Sequence, residues 1–137
     1  MPQLEFSHVH TYAARAEGIS LPIVLRSGKE AIDLFASVDT GATNCLFERA
    51  YGELLDLDIE AGDPRTFSTA TGRVEAFGHM VALEVLDLKF ESVVYFFADG
   101  GINRNLLGRA GWLDRVRLGL IDYDCRLYLA AYDFGPK

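Results

Sequence analysis

Two cysteines in 137 residues are too few for a disulfide framework, and neither Cys45 nor Cys125 lies in a zinc-ligand spacing. Both are expected as buried free thiols. Histidine is almost as scarce. His8 and His10 would share one face of a strand, but only His79 remains to complete a ligand set, so no metal is expected. Basic residues are outnumbered, 13 Lys and Arg against 20 Asp and Glu, and a net charge of -7 offers no surface for phosphates, so no nucleic acid is expected. Arg104, Arg109, Arg115 and Arg117 come nearest to a basic cluster, and Asp99, Asp114 and Asp122 balance them. Residues 1–20 hold Glu5, Arg15 and Glu17 without a continuous apolar stretch, which predicts neither a leader nor a membrane helix and makes the cytoplasm the default location. Nucleotide fingerprints are missing from the glycine-containing stretch 100–111, and no Gly-x-Ser-x-Gly elbow surrounds Ser37 or Ser68. No cofactor is expected.

Half of the residues are hydrophobic, and with four prolines and no low-complexity segment or repeat the chain reads as a single domain over residues 1–137. A chain of this size buries roughly two-thirds of its unfolded surface. Alternating apolar residues predict strands over 6–13, 19–25, 31–38 and 90–98, with Ser27-Gly28-Lys29 turning the second into the third. Residues 65–88 read as a long hairpin broken at Ala70-Thr71-Gly72-Arg73, its tip near 71–76. Helical offsets predict one short helix within 47–57 and another over 109–117, where Trp112 serves as a core or interface anchor. Residues 118–131 split at 121–124 into a last hairpin. The class is therefore mostly β, with one or two short helices and a closed or partly closed sheet.

The tripeptide Asp39-Thr40-Gly41 stands at the end of the apolar run Leu34-Phe35-Ala36-Ser37-Val38 and is followed by Ala42-Thr43. A buried strand that stops there delivers a carboxylate into a tight turn, where glycine accepts backbone angles that other residues resist. That setting suits acid/base chemistry on water. The plainer alternative is a turn in which the aspartate bonds its own backbone and does nothing more.

Taken with the glycine-containing hairpin and with Asn105-Leu106-Leu107-Gly108-Arg109, the tripeptide resembles the retropepsin-like aspartic proteases, most closely the bacterial single-domain type, over about residues 19–131. The resemblance implies an acid-protease β-barrel with one Asp-Thr-Gly per chain and an active site shared by a homodimer. Asp39 would then be the catalytic acid or base, Thr40 would bond across the twofold axis, and Gly41 would turn the loop. Ala42 and Thr43 would line the substrate channel. Ala70, Thr71, Gly72 and Arg73 would form the flap tip over an extended peptide or protein substrate. The tip lacks a tyrosine, so a bond from flap to catalytic centre must come from backbone or from Thr71. Leu106, Leu107 and Gly108 would pack behind the catalytic loop as support. The implied activity is endopeptidase cleavage by directly attacking water. The alternative is a catalytically silent peptide-binding or dimerisation module on the same fold, and a third possibility is a second aspartate from a different protein. Residues 1–18 fall outside the resemblance and read as an interface strand, a cover for the groove or a plain extension.

Overall fold

The computed structural model describes residues 1–14 and 17–135. Strands dominate, as the alternation predicts: β1 (His8–Thr11), β2 (Ser20–Ser27), β3 (Glu30–Val38), β4 (Leu46–Phe47), β5 (Asp63–Thr69), β6 (Gly72–Val85), β7 (Leu88–Phe97), β8 (Leu106–Leu107), β9 (Val116–Ile121) and β10 (Arg126–Ala131). The helix α1 is confined to Arg49–Leu54. It is shorter than the predicted 47–57 because Phe47 is taken into β4 beside β7, and because Asp56, at φ 60°, leaves the helical path.

The larger sheet runs β2-β3-β8-β4-β7-β6-β5, and β2 also pairs with β6, Ile23 opposite Val85 and Arg26 opposite Ala82. Six strands thus close on themselves, and β5 hangs outside the ring on β6 alone. Along β2 the inward positions Leu21, Ile23 and Leu25 are buried, and β3 buries Leu34 and Ala36 on the same principle of alternate faces. The smaller sheet, β1-β10-β9, shares their core: Tyr12, Leu127 and Leu129 belong to the same buried cluster as Leu21, Phe47, Phe96 and Trp112. Part of the N-terminal segment is therefore a strand on its own chain's β10, His8 opposite Leu129.

The expected helix over 109–117 is absent. Gly111 adopts φ +103°, which interrupts any helical run, and only a single 3-10 turn (Leu113–Arg115) precedes β9. Trp112 is fully buried in the core. The long hairpin turns at Ala70-Thr71, tighter than 71–76, because Val74 and Ala76 are already laddered to Phe67 and Arg65. A second tight turn at Leu86-Asp87, both at positive φ, passes β6 into β7. Cys45 is a buried free thiol as expected, whereas Cys125 is only half-buried, in a left-handed turn at φ 54°.

Candidate active site

The chain crosses itself around Asp39. β8 lies between β3 and β4, parallel to the first and antiparallel to the second, so the segment 105–110 is threaded between the strand that leads into Asp39 and the strand that leaves it. Backbone bonds fasten it on both sides. Ser37 N–H donates to Asn105 O (2.8 Å) and Asp39 N–H to Leu107 O (3.0 Å), while Arg109 N–H donates to Ala42 O (2.9 Å) and Ala110 N–H to Thr43 O (2.8 Å). Gly108 is required at the crossing, since a Cβ there would collide with the carbonyl oxygen of Asn44. Asn105 adds a two-way clasp: its Oδ1 accepts from Glu48 N–H (3.0 Å) and its Nδ2 donates to Glu48 Oε2 (2.6 Å). Buried polar groups are thus paired across the crossing, which fixes the loop.

Within that frame the Asp39 carboxylate is half-buried, and its Oδ1 accepts the Gly41 N–H at 2.9 Å. This is the bond of the plain turn, and it also aims the carboxylate. Oδ2 has no protein partner among the described residues. Asp39 borders a cleft of about 590 Å³ with Phe35, Ser37, Arg104 and Leu106. On the other side of the loop, Thr40 and Thr43 border a second cleft of about 500 Å³ with Arg109, Ala110 and Leu113. Thr40, Gly41 and Thr43 are exposed and Ala42 is half-buried. Leu107 and Gly108 are buried behind the loop, whereas half-buried Leu106 reaches the Asp39 cleft.

The flap-tip residues Ala70, Thr71, Gly72 and Arg73 are all exposed. The tip is closed on itself, with Thr69 Oγ1 donating to Gly72 O (2.7 Å) and lying 3.3 Å from Thr71 Oγ1. No hydrogen bond among the described residues joins the tip to residues 39–43. The bond that does reach the segment after Asp39 from the β5–β6 hairpin comes lower down, from Arg65 to Asn44 (3.1 Å). Neither residue stands out in the sequence, because β5 has a single buried side chain, Phe67, and so no apolar alternation to mark the face that Arg65 shares with it.

Other nucleophiles and ligands find no comparable setting. Burial pushes the Cys45 thiol up to about 11, opposed by a backbone hydrogen bond at Gly108, so it stays protonated near neutrality and is a poor nucleophile. Among the described residues no three His, Cys, Asp or Glu side chains converge as a metal site. No described helix is long and apolar enough to cross a membrane.

A sequence profile of the aspartyl protease family matches residues 28–110, which spans β3, the Asp39 loop, the flap and the crossing at Gly108. Among solved structures, the chain is similar to a retropepsin-like aspartic protease from Rickettsia conorii at 22% identity and TM-score 0.60, over 81% of this chain and 89% of that one. It is also similar to EIAV protease complexed with the inhibitor HBY-793, at 17% identity and TM-score 0.55, over 72% of this chain and 88% of that one. No curated protein sequence matches it. A profile match over more than half of the chain, on a fold shared with both proteases, places this protein in the aspartyl protease family, with the retropepsin-like fold.

Proposed function

We propose that the protein is an aspartic endopeptidase whose active site is completed by a second copy of the chain. The observation that carries this is Asp39 at the strand end, its backbone N–H held by Leu107 O and its carboxylate Oδ1 by Gly41 N–H, with Oδ2 unpartnered among the described residues beside an open cleft. One such carboxylate per chain is half of a dyad. Two held close cannot both ionise cheaply, so they share a proton, a behaviour for which aspartic proteases as a class are the reference case. One Asp39 accepts a proton from water as its oxygen attacks the scissile carbonyl; the other, protonated, donates to the carbonyl oxygen. The pair then returns a proton to the leaving amine as the C–N bond breaks.

In this reading Thr40 bonds across the twofold axis and Gly41 gives room to the substrate backbone. Ala42 and Thr43, with Ala70, Thr71, Gly72 and Arg73 of the flap, contact an extended peptide by main-chain pairing. Leu107 and Gly108 support the loop, while Leu106 both supports it and lines the cleft. The shared core of both sheets favours one domain, and two unpaired cysteines fit a reducing, cytoplasmic setting.

Cleavage of a diverse peptide library between about pH 3 and 7, the range in which such a pair is competent, tests the proposal. The expected result is cleavage that falls roughly a hundred- to ten-thousand-fold in Asp39→Asn. A second reading, a silent peptide-binding module, is favoured by the flap tip, whose threonines bond each other and not the Asp39 loop. It gains if a confirmed dimer cleaves nothing.

A further inference from the structure

We propose that Arg65 is a positioning residue that docks the flap strand onto the catalytic loop through Asn44, a role that rests on the proteolytic reading of the groove. β5 is the strand most in need of such a hold. It lies outside the closed ring and bonds to β6 alone. Six of its seven residues are exposed, with Phe67 the single buried side chain.

Alternation puts Arg65 and Phe67 on one face, opposite Ala76 and Val74 of β6. That face meets the floor in a small cluster separate from the main core, containing Leu46, Phe67, Ala76, Tyr95 and Phe97, with half-buried Leu106 against it. Phe67 meets Tyr95 edge-on, ring centroids 5.3 Å apart. The Arg65 guanidinium caps both rings, 5.4 Å from the Phe67 centroid and 5.8 Å from that of Tyr95. From there its Nη1 donates to Asn44 Oδ1 at 3.1 Å.

Asn44 is a firm anchor. It is 7% exposed, bridges to Ala110, and its carbonyl oxygen occupies the space that a Cβ at Gly108 would need. A buried amide oxygen needs a donor, and Arg65 supplies it. No other β5 side chain bonds the floor among the described residues. Arginine suits the task because its planar head can lie over aromatic rings while its N–H groups donate in the plane, which a lysine ammonium does not reproduce. The consequence is a flap strand fastened to its own subunit's catalytic loop, five residues beyond Asp39, without help from a second flap.

The test is amide hydrogen exchange on the full chain for the parent, Arg65→Met, Arg65→Lys and Asn44→Ala, with steady-state kinetics on a cleaved peptide. In Arg65→Met the amides of 63–76 should exchange about fivefold faster, as expected for one lost hydrogen bond in a local opening, while β2 and β3 keep the parent rate. Arg65→Lys should recover part of the protection. Asn44→Ala should speed the same amides, and adding it to Arg65→Met should add little, because the two act through one bond. In kinetics the loss should fall on KM more than on kcat, since a docked flap binds ground state and transition state alike. Unchanged exchange over 63–76, or equal acceleration in β2 and β3, overturns the proposal. If the parent cleaves no peptide, the proteolytic reading fails, and the exchange pattern still decides whether Arg65 docks the flap.

Discussion

Gly108 is the residue on which the crossing of the chain depends, because its missing side chain lets Asn44 and Ala42 close around it. Gly108→Ala is expected to cost roughly 3 kcal/mol through overpacking against backbone, read as a lowered urea midpoint. An unchanged midpoint would show that the crossing yields. The two thiols should differ in the same spirit. Cys45 is fully buried with its thiol raised to about 11, whereas Cys125 is half-buried, so iodoacetamide should modify Cys125 first in the native protein. Equal rates would place Cys45 nearer to solvent than its packing implies. At this scale the sequence was most informative about Asp39-Thr40-Gly41, because the motif is contiguous and its strand precedes it directly. Asn44 and Arg65 were not legible. They lie 21 positions apart and meet only once β5 is in register with β6, and the Asn105 clasp to Glu48 spans 57 positions for the same reason.

Elements built on apolar spacing were readable to within a few residues: β2, β3 and β10 follow it because each turns mainly one face to the core, and β7 because its last four residues, Val94 to Phe97, are buried on both faces. The segment 109–117 was not, since its helical spacing is overridden by the backbone of Gly111 and by the pairing of β9 with β10. Short α1 also depends on context. Arg49 on its first turn makes a paired contact with Glu60 in the following 3-10 turn, Nη1 to Oε2 at 2.6 Å and Nη2 to Oε1 at 2.7 Å. That hydrogen bonding holds the Glu60 carboxyl below its usual range. A depressed carboxyl stabilises the folded state above the ordinary glutamate range, and the contribution is lost as pH falls through its folded value. The melting temperatures of parent and Glu60→Gln should therefore differ at neutral pH and converge as acidification below the ordinary glutamate range protonates Glu60 in the folded state. A gap that widens on acidification would contradict this sign. The pair is exposed, so the gap should be small.

At the scale of the whole molecule, the ring of six strands is a closed base that carries the Asp39 loop, and β5 hangs outside it, tied toward that loop by the Arg65–Asn44 bond. The family and the fold account for that base, and the site adds one aspartate per chain. Everything in the proposed chemistry then depends on a second copy bringing its own Asp39 alongside. Mixing parent chains with Asp39→Asn chains tests this most directly. After free subunit exchange at equal concentrations, activity per parent chain should fall to about half of that of the undiluted parent, because half of the parent chains then sit beside a mutant partner. Activity per parent chain that stays constant at every mixing ratio, with exchange demonstrated, would contradict an active site shared between two copies.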